Sequence, residues 1–428
     1  MNKNITKLPS LFQPKENYLS LCLAFFLLFG FSTLTISCSE SAAERVNADN
    51  VTSAEIIDFS SDQIKQLLNE MDSAILENPT NRTTPHVGVR SIRDNQLFLI
   101  PSRDWTSGFL PGLLWYMYEL TDDNFWLVEA TNRTALIERE RNNASTHDMG
   151  FKIYCSFGNG YRLTNDTHYR NVIIEASNTL ITRYNETVGA IRSWDHNTDK
   201  WDFPVIIDNM MNLEMLFRAS ELTGDSIYSD IAIQHARTTM EEHFRDDFST
   251  YHVIGFNPET GEVLARHTHQ GAFHESSWAR GQAWGLYGFV MTYRFTELPE
   301  FLDLAEKIAE FMLDHPQLPS DLIPYWDFDA ENIPNVARDA SAAAITASAL
   351  YELSTMVTDK SAYYKDMADQ ILASLYNNYR SADGENFGFL LNASTGHHPH
   401  GYEIDTPLIY ADYYFLEAVL RKQNMEDS

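Results

Sequence analysis

The stretch that most constrains the fold is Trp278-Ala-Arg-Gly-Gln-Ala-Trp284, which lies within residues 265–292. Two tryptophans, an arginine and a glutamine lie within two turns of a predicted helix, and positions 281, 284, 285 and 288 can share one helix face. Glycine costs a helix about 1 kcal/mol relative to alanine. Glycines on this face therefore indicate that a neighbouring helix or a ligand comes close to the backbone.

The tryptophans and the arginine of this stretch have two interpretations. An indole offers a flat apolar face, and a guanidinium offers a two-pronged donor that matches a carboxylate, so together they suit an acidic sugar. Alternatively, Trp278 and Trp284 belong to the core of a buried helix, and Arg280 pairs with an internal acid. The residues of the stretch leave both interpretations open.

Apolar residues recur at helical spacing along the rest of the chain. The pattern predicts a helix from residue 60 and further helices at 112–120, 126–139, 169–184, 211–222, 229–244, 284–295, 301–313, 341–356, 362–377 and 413–422. Strand-like alternation is rare, and only residues 251–267, with a turn at 258–261, predict a hairpin. No linker divides residues 60–425, and no fixed-period repeat indicates a solenoid. The patterns predict one all-α domain, a closed barrel of six helical hairpins.

The N-terminal residues have the pattern of an export signal. Three lysines precede an apolar run at residues 18–36, which Ser37-Cys38-Ser39 follows. This order is typical of a secretory signal, and it predicts an exported bacterial lipoprotein, periplasmic or on the cell surface, with lipid on Cys38. The predicted organisation is a signal peptide at 1–37, a polar tether at 38–59 and the barrel domain at 60–428. The alternative is an uncleaved transmembrane anchor, for which the run is barely long enough.

The composition limits the partners of the protein. The chain has 60 acidic and 31 basic residues, a net charge of −29 at pH 7. Such a surface repels nucleic acid and anionic membranes, so the lipid anchor is the only predicted membrane contact. An acidic substrate would need a local positive group, and Arg280 is one candidate.

Two aspartates have the setting of catalytic acids. Asp148 and Asp208 are 60 residues apart, about one helix pair, which predicts similar heights on adjacent inner helices. Apolar neighbours flank both, so burial is expected to raise both pKa values. Paired acids in a pocket are the usual groups of sugar hydrolysis. The alternative is that each aspartate only caps a helix.

Two histidine-rich loops could suggest a metal site, but neither carries a complete motif. No cysteine set or His-Glu helix motif accompanies them, and the expectation is solvated loop histidines with no metal or other cofactor. The histidines concerned are His267, His269, His274, His397, His398 and His400.

Six short segments occur in chain order over nearly all of residues 85–425. They are Asp104-Trp-Thr-Ser-Gly-Phe109, His147-Asp-Met-Gly-Phe151, Asp208-Asn-Met-Met-Asn-Leu213, Trp278-Ala-Arg-Gly-Gln-Ala-Trp284, Arg338-Asp-Ala-Ser-Ala-Ala-Ala344 and Leu408-Ile-Tyr-Ala-Asp-Tyr-Tyr414. Together they resemble the unsaturated glucuronyl hydrolases of glycoside hydrolase family 88. The resemblance implies an (α/α)6 barrel. The related family 105 tends to continue the Trp-Ala-Arg-Gly motif with Asn-Gly rather than the Gln-Ala seen in this chain.

The resemblance also implies roles for individual residues. Asp208 matches the general acid/base that protonates C4 of a C4–C5 double bond and activates the water that adds at C5. Asp148 matches the second aspartate, which holds the ring hydroxyls and stabilises the cationic transition state. The residues that match sugar-contacting positions are Trp105, His147, Trp194, His252, Gln270, Arg280 and Trp284.

The expected activity is removal of an unsaturated glucuronic acid from the non-reducing end of oligosaccharides made by polysaccharide lyases. One alternative is an unsaturated rhamnogalacturonyl hydrolase of the family 105 type. Others are a catalytically silent sugar-binding lipoprotein and an inverting glycosidase that acts on saturated sugars.

Overall fold

The computed structural model describes residues 51–77 and 85–426. The predicted signal peptide and Cys38 lie outside these residues. Across the described ranges, no helix is both long and apolar enough to cross a membrane.

Helices dominate the described residues, and every helix predicted from the sequence overlaps an observed one. The α-helices are α1 (Ser53–Glu77), α2 (Phe109–Thr121), α3 (Asn124–Ala135), α4 (Asn159–Thr164), α5 (Thr167–Ile181), α6 (Leu213–Thr223), α7 (Ile227–Glu242), α8 (Ala279–Thr296), α9 (Pro299–Leu313), α10 (Ala340–Met356), α11 (Ser361–Tyr379) and α12 (Ile409–Glu426). A π-helix spans Gly150–Gly158, and 3-10 helices span Glu138–Asn142, Ile207–Asn212, Asn386–Gly388 and His398–His400. The π-helix and α4 were not predicted.

The first helix begins earlier than the sequence pattern predicted. The tether was expected to extend to residue 59, but α1 starts at Ser53. The amide of Thr52 donates to Oε2 of Glu55 at 2.9 Å, and the amide of Glu55 donates to Oγ1 of Thr52 at 3.2 Å. This reciprocal capping box starts a helix, and the fully buried Ile56 anchors its first turn.

The helices form an inner and an outer ring in the described part of the chain. The inner ring consists of α2, the π-helix with α4, the 3-10 helix 207–212 with α6, α8, α10 and α12, and each element packs on the next. The inner helices α8 and α10 bury residues on all sides, whereas an outer helix such as α9 buries one face. The outer ring consists of α1, α3, α5, α7, α9 and α11.

The inner ring is closed by contact between its first and last helices. Helix α2 packs on α12, and the hydroxyls of Tyr116 and Tyr413 lie 2.9 Å apart. A Cβ at Gly112 would lie 2.6 Å from the Tyr413 ring, so only glycine permits this approach. The prediction of a closed (α/α)6 barrel is confirmed.

The described residues also form small antiparallel sheets. The strands are β1 (His86–Arg93), β2 (Gln96–Pro101), β3 (Tyr184–Asn185), β4 (Ala190–Ile191), β5 (Phe203–Ile206), β6 (Val253–Phe256), β7 (Val263–His267), β8 (Ser394–His397) and β9 (Tyr402–Thr406). They pair as β1-β2, β3-β4, β5-β6-β7 and β8-β9. The predicted hairpin at 251–267 is confirmed as β6-β7, and Gly261 turns it with a φ of +74°. The other strands were missed because most are too short to show a period.

Candidate active site

The predicted site residues meet at the end of the barrel that carries the three-stranded sheet. Because β5, β6 and β7 are antiparallel neighbours, the end of β5, the start of β6 and the end of β7 lie at one sheet edge. Asp208 follows β5, His252 precedes β6 and Gln270 follows β7. The amide of Ile207 donates to the carbonyl of His252 at 3.0 Å. The sheet therefore assembles residues that are far apart in sequence.

Close packing at Gly150 brings Asp148 to the same region. Asp148 lies just before the π-helix, whose first residue, Gly150, packs on Asn212. A Cβ at Gly150 would lie 2.6 Å from the Cα of Asn212, and the amide of Phe151 donates to Oδ1 of Asn212 at 3.0 Å. The two helical segments that carry Asp148 and Asp208 are therefore in direct contact, as their spacing predicted.

Asp208 is a buried carboxyl with an unused oxygen. Ile206, not Asp208, holds the cap position of the 3-10 helix, which excludes the helix-cap interpretation. Its Oδ2 is buried and has no hydrogen-bond partner among residues 51–77 and 85–426. Burial, with a smaller contribution from the charge of Asp148, raises the pKa of Asp208 to about 6 against the opposing charges of His147 and Arg280. A carboxyl with this pKa can both give and take a proton near neutral pH.

His252 presents a neutral N–H donor to Asp208. Its Nδ1 accepts from the amide of Gln270 at 3.2 Å, so the ring proton of the neutral form is assigned to Nε2. That Nε2 lies 3.6 Å from Oδ2 of Asp208. Burial, followed by the charges of neighbouring histidines, lowers the pKa of His252 well below its usual value. The ring is therefore uncharged at neutral pH and can donate without competing for the proton of the acid.

Asp148 is ionised, which corrects the expectation that burial raises its pKa. Burial alone would raise the pKa, but His147, Lys152 and Thr146 together lower it below its usual value. Nε2 of His147 lies 3.2 Å from Oδ1, and the Thr146 hydroxyl donates to Oδ2 at 2.5 Å. The side chain of Asp148 is 20 % exposed. The pKa values of the two aspartates are therefore separated, because His147, Lys152 and Thr146 outweigh burial at Asp148, whereas burial outweighs the charge-stabilising groups at Asp208.

The three predicted sugar-stacking tryptophans have different degrees of exposure. Trp105 and Trp194 are half-buried, and Trp194 forms a bridge to Thr146, two residues before Asp148. Trp284 has no exposed surface, and its ring packs on Phe151 at 5.3 Å. This corrects the prediction for Trp284, because a ring enclosed on an inner helix offers no free face to a sugar. It packs instead among buried aromatic rings, those of Phe151 and Tyr414.

Arg280 follows the second of its two interpretations. Its Nη1 donates to Oδ2 of Asp339 at 3.0 Å and to the carbonyl of Thr395, and its Nη2 donates to the carbonyl of Gly396 at 2.6 Å and to Oε1 of Gln270 at 3.3 Å. The side chain is 3 % exposed. Internal partners therefore occupy the fork that was predicted to bind a substrate carboxylate, and Arg280 positions Gln270 instead.

Two further residues belong to the site but were not predicted as site residues. Asp339 caps α10 by accepting from the amides of Ser341 and Ala342 while it pairs with Arg280. The Asp-x-Ser order at a helix start is a cap signal that was present in the sequence. Trp278, placed in the core by one interpretation, packs on the His252 ring at 4.7 Å, a contact that no local pattern shows.

The histidine-rich loops are partly buried, contrary to the expectation of solvated side chains. His397 is 7 % exposed, and its ring stacks on His400 at 3.8 Å. His269, on the other loop, lies 5.4 Å from the His397 ring and 5.6 Å from the His400 ring. Burial, followed by the charges of neighbouring histidines, lowers the pKa of His269 to about 4 and that of His397 to about 3. Pairing of β8 with β9 and the ties of Arg280 bring the loops together.

The fold and the site define a class of enzyme. A closed helical barrel holds one carboxyl whose pKa is near neutral beside a second carboxyl that is ionised, with tryptophans at the same end. Two carboxyl groups with separated pKa values are the acid/base pair of glycoside hydrolysis.

Comparison with known proteins agrees with this class. Residues 91–425 match the profile of Glycosyl Hydrolase Family 88. An unsaturated glucuronyl hydrolase of Formosa agariphila is 53% identical over 328 residues, which are 76% of this chain and 82% of that protein. An unsaturated chondroitin disaccharide hydrolase of Streptococcus pyogenes serotype M1 is 32% identical over 88% of this chain and 94% of that one.

Solved structures show the same relationship. The crystal structure of an unsaturated glucuronyl hydrolase specific for heparin matches with a TM-score of 0.81 and 44% identity, over 87% of this chain and 98% of that one. The enzyme from Streptococcus agalactiae matches with a TM-score of 0.79 and 30% identity, over 88% and 94% of the chains. The chain therefore belongs to glycoside hydrolase family 88, and it is a glycosidase, as the six sequence segments predicted.

Proposed function

We propose that the chain removes a 4,5-unsaturated glucuronic acid from the non-reducing end of oligosaccharides by hydrating the C4–C5 double bond. The observation that carries the proposal is the buried Asp208 carboxyl, whose pKa is about 6 and whose free Oδ2 faces the N–H of His252 at 3.6 Å. The names of the relatives support the substrate class.

The proposed reaction needs only one acid/base. Asp208 gives its proton to C4, and the positive charge that develops at C5 is shared with the ring oxygen. Water attacks C5 and returns a proton to the Asp208 carboxylate. The resulting hemiketal opens, the bond from C1 to the aglycone is lost, and the enzyme is restored with one water consumed.

Asp148 supplies negative charge in this scheme. Since its carboxylate is ionised while Asp208 holds a proton, it can stabilise the cationic transition state and accept hydrogen bonds from ring hydroxyls. The half-buried Trp105 and Trp194 flank the site and offer apolar faces to the sugar. The substrate carboxylate is bound by neutral donors, among them the Nε2 amide of Gln270, whose Oε1 Arg280 holds.

The proposed location is outside the cytoplasm, with Cys38 as a lipid anchor. This location is proposed because lysines, an apolar run and Ser37-Cys38 follow one another in the sequence. The wild-type protein is expected to fractionate with membranes. The variant Cys38→Ala is expected to be either released as soluble protein or left unprocessed. Mass spectrometry of the mature wild-type protein that finds an intact N-terminus would overturn the anchor.

A panel of lyase-generated oligosaccharides tests the activity. Hydration destroys the conjugated double bond, so ultraviolet absorbance of the substrate should fall with time. The panel includes heparin and chondroitin fragments, which the names of two relatives specify, an unsaturated galacturonyl-rhamnose, and saturated glucuronides as controls. Turnover confined to the galacturonyl-rhamnose would favour the family 105 alternative. Release of saturated sugar would indicate an ordinary glycosidase, and binding without turnover a silent sugar-binding protein.

A further inference from the structure

Three histidines from two loops converge beside the active site. His269 follows β7, His397 ends β8 and His400 lies in the 3-10 turn that follows. One ring nitrogen from each lies within 4.8 Å of the others. The rings of His269 and His252 lie 6.2 Å apart, so the cluster adjoins the site but does not include Asp208. We call these three residues the histidine cluster.

The chemistry of the histidine cluster is that of a transition-metal ligand set. Imidazole nitrogens suit Zn²⁺, Cu²⁺ and Ni²⁺, and three of them with one open position are a known zinc arrangement. Zinc–nitrogen bonds of about 2.0–2.1 Å place tetrahedral ligands roughly 3.4 Å apart, so binding draws the three nitrogens closer than their present 4.8 Å limit and rotates the stacked rings of His397 and His400 away from each other. Magnesium and calcium prefer oxygen ligands and do not fit.

An unused buried atom indicates that the histidine cluster takes a ligand. Nδ1 of His397 is buried and has no hydrogen-bond partner within the described ranges, although the residue is only 7 % exposed. A buried polar atom without a partner costs free energy. Coordination of a metal would satisfy this nitrogen and its neighbours together.

Contacts from the rest of the protein already fix the relative positions of the two loops. Arg280 donates to Gln270 and to the carbonyl of Gly396, and these residues are the chain neighbours of His269 and His397. On the second loop, His398 stacks flat on Trp326 at 4.0 Å. Anchored flanking residues limit the entropy lost when ligands are ordered, which is what a metal site requires.

We propose that His269, His397 and His400 bind one divalent transition-metal ion, of which Zn²⁺ is the representative, with water in the fourth position. The ion would cross-link the β8-β9 hairpin to the loop after β7 and so fix one wall of the active site. The site is independent of the proposed hydration chemistry, because none of the three residues transfers a proton in it.

Cobalt absorption and calorimetry test the proposal directly. The protein is purified without a polyhistidine tag and freed of metal by a chelator. Addition of Co²⁺ should give the intense visible bands of tetrahedral coordination, saturating at one ion per chain, and Zn²⁺ should displace it. Zn²⁺ should also raise the melting temperature, whereas Mg²⁺ should not.

The variant His400→Ala identifies the ligands, since His400 is exposed and its loss leaves the core intact. It should weaken Co²⁺ binding by roughly 100-fold or more, at least the loss seen for residues that only support a ligand. The matched control is His274→Ala, an exposed histidine that stacks on His267 at 4.0 Å outside the cluster. It should bind as wild type does.

Equal Co²⁺ and Zn²⁺ binding by both variants would overturn the assignment of the ligands. Absence of visible bands and of a Zn²⁺-dependent melting shift in the wild-type protein would overturn the metal site itself. His269→Gln provides a second route if His400→Ala melts early, and it should show the same loss of binding at a temperature where the variant is folded.

Discussion

The two ends of the barrel contain similar polar side chains but differ in whether these side chains have hydrogen-bond partners. At the end away from the sheet, Glu417 accepts from Tyr116 at 2.7 Å, Tyr287 at 3.0 Å and Ser348 at 2.6 Å. Arg421 pairs there with Glu352 at 2.7 Å. These six residues, called the Glu417 network, bind one another.

At the sheet end, buried polar atoms are left over. Oδ2 of Asp208, Nε2 of His252, Nε1 of Trp194 and Nδ1 of His397 have no hydrogen-bond partner in the ranges that the structure describes. Unsatisfied buried groups cost stability, so the presence of several around the active site indicates a place where a ligand supplies the missing partners.

A cavity alone does not reveal this difference. A cavity of about 370 Å³ lies against the Glu417 network, yet its acids and arginines are paired. The comparison teaches that the paired groups of the Glu417 network hold the barrel together, whereas the unsatisfied groups around Asp208 carry its chemistry. Substitutions at the two ends should therefore separate stability from activity.

The largest expected effect is on turnover by Asp208→Asn. Asparagine has nearly the same shape but cannot give a proton to carbon, so kcat on an unsaturated uronide should fall by roughly 10²- to 10⁴-fold, the range for a general acid. The control is Asp412→Asn, which alters a buried carboxyl group that accepts from the amides of Leu390 and Leu391 at 2.9 and 3.0 Å. It should lower the melting temperature with little change in kcat.

The same variant should gain stability at high pH. Because burial raises the pKa of Asp208 from 3.8 to about 6, the stability that its proton gives is complete below pH 3.8 and is lost as the pH rises through 6. Asp208→Asn lacks this loss, so its unfolding free energy should exceed that of wild type at pH 8 by about 1–3 kcal/mol and match it near pH 4. Near wild-type kcat would refute the catalytic assignment, and a collapse in melting temperature would return Asp208 to a structural role.

The next effect is on stability at the far end. Glu417→Ala leaves the hydroxyls of Tyr116, Tyr287 and Ser348 without their buried acceptor. At about 1–3 kcal/mol for each unsatisfied group, the loss in urea unfolding should be about 3–5 kcal/mol, while kcat measured well below the melting temperature stays within a few-fold. Glu221→Ala, which removes an exposed ion pair with Arg218 at the same end, should change stability little. A large loss of kcat in folded Glu417→Ala would break the separation between the two ends.

Arg280→Lys tests a residue that lies at the active-site end but whose hydrogen bonds are all made within the protein. Lysine cannot make the fork that joins Asp339, Gly396 and Gln270, so stability should fall by about 1–3 kcal/mol and KM should rise as Gln270 loses its support. Arg237→Lys, on the surface beside Glu300, is the control for the substitution type. If kcat/KM falls while the melting temperature is unchanged, Arg280 binds the substrate carboxylate after all.

The smallest effect is on the pH profile. Activity that needs protonated Asp208 should decline above pH 6. Asp148→Asn removes a charge that raises this pKa, so the basic limb of kcat/KM should move to lower pH, by less than about one unit, because burial is the larger cause. Since the two carboxyls titrate as a pair, the limb reports their macroscopic value. A shift to higher pH would contradict the proposed interaction.

Much of the fold could be read from local patterns. Helical spacing predicted the inner and outer helices, the absence of linkers predicted one domain, and Pro258 to Gly261 predicted the turn of the β6-β7 hairpin. These succeed because helix period and turn chemistry act between residues close in sequence. The early start of α1 was missed, although its Thr52 and Glu55 capping box was present in the sequence.

The sequence by itself determined the barrel, the family and the two aspartates. It did not determine that the pKa of Asp148 is lowered while that of Asp208 is raised to about 6. Nor did it determine that Arg280 is paired with Asp339, or that His269 lies against His397 and His400. Only the tertiary structure decided these, because a pKa and a hydrogen-bond partner depend on every group within a few ångströms. Those groups come from loops and helices that the chain brings together only when the barrel closes.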